Sequence, residues 1–217
     1  MRAQEAQKFS LSFCRLLCLF VAELTVLASV VIAIAASPPQ TQNKTIEWSK
    51  SPVGSNRETV APSLQLFRQI DDVQIEQILA DGKPVNIGEP FVGRDDNWLK
   101  TITIRVKNLS YQHLKTVQLT LILPKLYPGS PQVIYCYGCA KDEREKGIGP
   151  GETVELKMPG GDFYNFVVAR VAEKTSLSEI NKAEISHMYV TPPSGPTWYS
   201  GCVKTANPNT PCPYLKP

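Results

Sequence analysis

Histidine is almost missing from this 217-residue chain, which carries only His113 and His187. A Ser-His-Asp or Cys-His arrangement would have to recruit one of the two, and no Gly-x-Ser-x-Gly elbow accompanies them. His113 follows a turn and reads as exposed; His187 lies in a strand pattern. No phosphate loop, dinucleotide fingerprint or haem motif occurs. Charge of one sign is also scarce. The formal net is +3, and beyond residue 37 twenty basic groups face eighteen acidic ones. Such a balance is a mixed, solvated surface and no nucleic-acid footprint. There is neither an internal repeat nor the strand–helix alternation of an α/β chain. These absences argue against an enzyme, and the expectation is a non-catalytic protein without a cofactor.

What is present begins with an export signal. Arg2, Lys8 and Arg15 precede a segment from Leu16 to Ala36 that is apolar apart from Glu23 and a few small polar groups. Ala33-Ile34-Ala35 offers small residues for a signal peptidase, and Pro38 and Pro39 stop any helix. Residues 1–36 are therefore a cleaved signal peptide or a single membrane anchor. The apolar length is enough to span a bilayer as a transmembrane helix. Glu23, at about 2.5–3.5 kcal/mol near the bilayer centre, weighs against a full span. Either outcome places the rest of the chain outside the cytoplasm: periplasmic, on the cell surface or secreted. Membrane contact is then confined to residues 16–36, and only if they are uncleaved. Cys14 and Cys18 lie in or beside this segment and make no lipoprotein box.

Eleven of the 18 prolines gather at Pro38 to Pro62, Pro192 to Pro196 and Pro208 to Pro217, which are expected to be neither helix interior nor central strand. Residues 37–62, rich in Ser, Pro, Thr, Asn and Gln, read as a flexible tether. Between the tether and the tail the chain alternates with period two. Ile102, Ile104 and Val106 share one face, as do Val117, Leu119, Leu121 and Leu123, and Val154, Leu156 and Met158. Val73–Leu79 is a first strand. Phe163–Val171, nearly all apolar, reads as a strand buried on both faces. Ala183–Val190 reads as another, with Ile185 and Tyr189 inward. Only Ser176–Ala183 looks helical. Asp81-Gly82, Asn108-Leu109-Ser110, Pro150-Gly151 and Pro159-Gly160-Gly161 supply turns. Residues 63–197 are thus expected to be an all-β antiparallel sandwich, with 198–217 a Pro-rich tail.

Cys136, Cys139, Cys202 and Cys212 lie outside the export segment, an even number that suits an oxidising compartment. The preferred pairing is Cys136–Cys139 and Cys202–Cys212, the second closing the tail; a link from the 136–139 loop to the tail is the alternative. A four-thiolate zinc site would need a second Cys-x-x-Cys, which is missing. The alternative function is a metal-binding or thiol-active envelope protein using Cys136 and Cys139. Thiol exchange would need a helix N-terminus to lower a thiol pKa, whereas Val133-Ile134-Tyr135 reads as a strand and Lys141 to Lys146 as a charged loop. Tyr135, Tyr137, Trp198, Tyr199 and Tyr214 cluster around these cysteines in sequence. They form a candidate patch for a protein or carbohydrate ligand, or else pack over the disulfides. Asp71-Asp72 and Asp95-Asp96-Asn97 are oxygen clusters read as solvated turns rather than calcium loops, since no EF-hand spacing is present. Asn43-Lys44-Thr45 and Asn108-Leu109-Ser110 fit the short glycosylation pattern.

The run from Trp98 through Ile102, Ile104 and Val106 to Asn108-Leu109-Ser110 is similar to the long strand and Asn-x-Ser turn of immunoglobulin-like and fibronectin-III-like modules in exported bacterial proteins. Ile148-Gly149-Pro150-Gly151-Glu152-Thr153-Val154 resembles the Pro-Gly-Glu entry to a middle strand of such modules. The resemblance covers residues 70 to 190 and lacks the inter-sheet cysteine pair of antibody domains. It implies a sandwich fold and the adhesion and binding roles such scaffolds serve, but no particular activity.

Overall fold

A computed structural model describes residues 42–50, 69–126, 129–194 and 197–207. The chain divides into units Met1–Gln40 and Thr41–Pro217. All described residues belong to the second. The Leu16–Ala36 segment, the Cys202–Cys212 closure and Tyr214 lie outside the described residues. Among the described residues no helix is long and apolar enough to cross a membrane.

The described chain is mostly β. Its strands are β1 (Gln42–Trp48), β2 (Gln69–Ala80), β3 (Lys83–Val85), β4 (Pro90–Gly93), β5 (Ile102–Asn108), β6 (Thr116–Ile122), β7 (Val133–Tyr137), β8 (Thr153–Leu156), β9 (Lys182–Thr191), β10 (Trp198–Ser200) and β11 (Cys202–Thr205). Two helices, α1 (Lys141–Lys146) and α2 (Gly160–Ala172), interrupt them. One sheet runs β4-β1-β9-β6-β7 with β10 also on β9; the other runs β11-β2-β5-β8 with β3 on β2. Backbone bonds between Cys136 and Lys157, 2.8 and 3.2 Å, stitch the β7 edge to the residue after β8.

The period-two strands fall where their alternation places them. Ile102, Ile104 and Val106 of β5 and Val117, Leu119 and Leu121 of β6 are buried in one cluster with Val154 and Leu156 of β8. Asp81 and Gly82, both at positive φ (50° and 73°), make the two-residue turn between β2 and β3. That backbone fits the Asp-Gly hairpin signal, because a positive φ at both positions matches the strand twist.

Five expectations are corrected. The pairing is mixed, not antiparallel throughout: β1 runs parallel to β9 and β11 parallel to β2. Residues 37–62 are not all tether, since β1 lies between β4 and β9. Its Lys44 is 1% exposed and donates to the carbonyls of Ser178 (2.7 Å) and Ile180 (3.0 Å). The stretch 198–217 is not all tail, because β10 and β11 are paired strands. Phe163–Val171 belongs to α2, whose buried residues Tyr164, Val167 and Val171 follow helical spacing while Asn165, Phe166 and Arg170 face out. Burial of one helical stripe overrides the β preference of its valines. Ser176–Ala183 holds only a 3-10 turn, Leu177–Glu179, before β9 begins.

Both long strands, β2 and β9, also carry an extra residue. The β2–β5 register skips Glu76, and the β9–β6 register skips Ser186. Each skip reverses the alternation of the residues after it. Ile185 is therefore buried together with Met188 and Val190, while Tyr189 is only half-buried, against the expectation that Ile185 and Tyr189 share the core face.

Candidate functional site

Four segments meet at one end of the domain: the β5–β6 loop, the loop after β7, α1 and the turn that enters β8. Leu114 and Ile148 exchange backbone bonds of 3.0 and 2.8 Å. Asn108 N–H donates to the Glu152 carbonyl (2.9 Å) and Leu109 N–H to that of Asp72 (2.8 Å). The organiser is the Asn108 side chain, 1% exposed. Its amide nitrogen donates to the carbonyls of Gln112 (2.8 Å), Ile148 (3.0 Å) and Gly149 (3.1 Å). Its oxygen accepts from the N–H (2.9 Å) and hydroxyl (2.7 Å) of Ser110. A buried amide so fully engaged has no room for a glycan, so the glycosylation pattern at Asn108 is a turn motif.

This network fixes a loop whose tip is Tyr111, 86% exposed. His113 beside it is exposed, and Lys146 and Glu152 form an ion pair at the rim (3.7 Å). Tyr111 was not among the sequence-predicted residues. Its signal was a single aromatic in a polar loop directly after an Asn-x-Ser turn.

The neighbouring loop holds Cys136 and Cys139, with Cα atoms 5.9 Å apart and sulfurs at bonding distance. Cys136, in β7, is 6% exposed; Cys139 is exposed. Between them Gly138 adopts φ +81°, and a Cβ there would stand 2.1 Å from the Lys115 carbonyl oxygen, so only glycine fits. Gly138 N–H donates to the Glu143 carboxylate (3.0 Å), and the Arg144 guanidinium donates to the carbonyls of Gly138 (3.0 Å) and Cys139 (3.1 Å). Thr116 Oγ1 donates to the Gly138 carbonyl (3.3 Å). Both charged members of this clamp, Glu143 and Arg144, come from α1.

Of the five residues of the expected aromatic patch, the side chains of Tyr135 and Tyr137 are described. Tyr135 is fully buried and donates its hydroxyl to the Leu99 carbonyl (2.5 Å). Burial raises its pKa above the ordinary phenol value. Tyr137 is half-buried against the core. Trp198 and Tyr199 pair in β10 with Val190 and Tyr189 of β9, and their side chains, like that of Cys202, lie outside the described residues.

Elsewhere, polar groups are committed to the fold. Asp96 accepts from Ser178 N–H (2.7 Å), and Tyr164 donates to the carbonyl of Asp96 (2.5 Å) and to Asn97 Oδ1 (3.1 Å). His187 is 3% exposed, 3.0 Å from Ser186 Oγ, with its ring edge-to-face on Tyr189. Burial pushes its pKa down to about 4. Among the described residues no cluster of three His, Cys, Asp or Glu could hold a metal ion. The end around Tyr111 can do two things chemically: offer an aromatic face with a hydroxyl at its edge, and offer an accessible sulfur. No family model, curated protein or solved structure matches the chain.

Proposed function

We propose that the chain is an exported, non-catalytic β-sandwich module of immunoglobulin-like or fibronectin-III-like kind, which binds a protein or carbohydrate partner at the cell envelope or outside it. The observation that carries this reading is Tyr111, nearly all exposed at the tip of a loop locked by buried Asn108. An exposed aromatic on a mobile tip would lose its advantage to ordering entropy on binding; a pre-ordered one does not. Burying a side chain of this size contributes about 1.5–3 kcal/mol, and tyrosine adds a polar handle at the ring edge. Loops gathered at one end of a β framework are the usual place for such contacts. The basic, apolar and small-residue pattern before residue 37 supports export, and a bonded Cys136–Cys139 pair suits an oxidising compartment.

The test is site-specific photo-crosslinking of the full chain in intact cells. Benzoyl-phenylalanine replaces Tyr111 in one strain and Lys83, exposed in the β2–β3 hairpin, in another. A discrete adduct from position 111 and none from 83 is expected. No adduct from 111, or the same adduct from both, refutes the reading.

A further inference from the structure

We propose that Cys136 and Cys139 form a thiol–disulfide exchange site, at which the thiolate of a dithiol protein attacks the Cys139 sulfur. Three observations carry it, and none depends on Tyr111. The two sulfurs differ in access: Cys139 is exposed, whereas Cys136 is 6% exposed and sits in β7. An incoming thiolate therefore meets Cys139. The Arg144 guanidinium donates to the Cys139 carbonyl, 3.1 Å away, which sets a positive charge on the backbone of the attacked residue, with the Glu143 carboxylate one residue back on Gly138 N–H. Positive surroundings of this kind favour thiolate over thiol. Finally, hydrogen bonds that do not pass through the sulfurs also hold the loop. Cys136 is held by both backbone bonds to Lys157, and Gly138 by Glu143, Arg144 and Thr116. A bridge with two intervening residues also removes less chain entropy than a longer one, so the fold leans on it least.

Atoms and electrons balance across two displacements. The partner's first thiolate bonds to Cys139 Sγ, and the Cys136–Cys139 bond breaks with its electron pair leaving on Cys136 Sγ. That sulfur takes a proton from solvent and as a thiol donates to the Tyr137 carbonyl, 3.6 Å away. The partner's second thiolate then attacks the sulfur bonded to Cys139 and releases Cys139 as a thiolate. Two electrons have passed from the dithiol, now a disulfide, to this pair. Run backwards, the same steps let the reduced pair open a disulfide in the partner.

Dithiothreitol serves as the dithiol probe on the folded full chain, with quenching by iodoacetamide and mapping of each cysteine peptide. Reduction of the 136–139 pair under native conditions is expected, with the thermal unfolding transition retained. Cys136→Ser and Cys139→Ser then compare single thiols against an aromatic disulfide reagent. Cys139 in the first variant should react at least tenfold faster than Cys136 in the second. The proposal is overturned if the pair yields only in denaturant, if native reduction abolishes the folding transition, or if Cys136 reacts as fast as Cys139. Should either variant fail to fold, the wild-type reduction alone decides.

Discussion

Replacing Asn108 by alanine should destabilise this domain more than any other single change at its Tyr111 end. The carboxamide has two hydrogens and three carbonyl acceptors, so one hydrogen is shared, and its oxygen accepts twice. Four independent bonds are therefore lost. At about 0.5–1.5 kcal/mol net each, with an added penalty for carbonyls left buried without a donor, the loss is about 3–5 kcal/mol. Against a total stability of about 5–15 kcal/mol for a domain, that is about a fifth or more. Asn108→Asp sharpens the test. It sets a carboxylate oxygen against carbonyls that now lie 2.8 to 3.1 Å from a donor, and so costs at least as much at neutral pH. Once protonated, the new carboxyl regains one donor, so the gap between Asn108→Asp and wild type should narrow in acid. Urea unfolding followed by tryptophan fluorescence reads both effects as midpoints at constant slope. An Asn108→Ala variant within about 1 kcal/mol of wild type would refute the reasoning. So would an Asn108→Asp gap that ignores pH.

Two further outcomes stem from buried groups in the sheets. Because burial lowers the His187 pKa from 6.5 to about 4, the folded state resists a proton that the unfolded chain accepts near 6.5. Stability is then full above pH 6.5 and falls as pH drops from 6.5 through 4, by about 3 kcal/mol in all. His187→Gln should flatten that slope in urea midpoints taken at about pH 7.5 and 4.5, either side of most of that window; an unchanged slope would assign it to other groups. Lys44→Ala removes the donor to two carbonyls and the stem that runs beside Gly93 and the Trp98 ring, and should cost about 3 kcal/mol. Lys44→Met keeps the stem and should cost less; equal losses would show that packing contributes nothing there.

The strand positions were legible because each core strand needs one dry face, and alternation writes that need into neighbouring residues. Ile102, Ile104 and Val106 show it plainly. What alternation cannot show is an extra residue in the ladder. Glu76 and Ser186 look ordinary in sequence, yet each turns the following residues over, which is why Tyr189 leaves the core face on which Ile185 lies. The α2 segment resembles a strand in sequence for a different reason: a short apolar run carries no clear period of its own, and Asn165 and Arg170 are the marks of its outer face. β1 was hidden by composition. Gln42, Asn43 and Thr45 look like linker, and the strand exists because β9 offers it an edge and Lys44 reaches the 178–180 carbonyls. The site was half legible. The cysteine spacing pointed to the 136–139 loop, but Tyr135 proved to be core, since in β7 it sits opposite Leu119 of β6. Tyr111 lies away from every cysteine in sequence, and its exposure is a property of the fold that sequence does not carry.

The two proposed activities share a wall, and its construction decides whether they are coupled. Gly138 lies against the backbone of Lys115 and Thr116, so close that no side chain fits. Those residues lead directly out of the loop that carries Tyr111. If opening the disulfide moved Gly138, the shift would pass into the entry of β6 and toward the binding tip. Two features oppose this. The bonds from Glu143, Arg144 and Thr116 hold Gly138 whatever the state of the sulfurs, and a four-residue closed loop contributes only about 2 kcal/mol by the loop-entropy relation. Anchoring of Tyr111 comes instead from Asn108, whose side chain bonds to 110, 112, 148 and 149 and to no residue of the cysteine loop. Reduction should therefore leave the crosslinking pattern at position 111 unchanged, whereas Asn108→Ala should disperse it with the disulfide intact. A pattern that tracks the sulfurs instead of Asn108 would mean that the clamp from α1 is too weak to isolate the two loops.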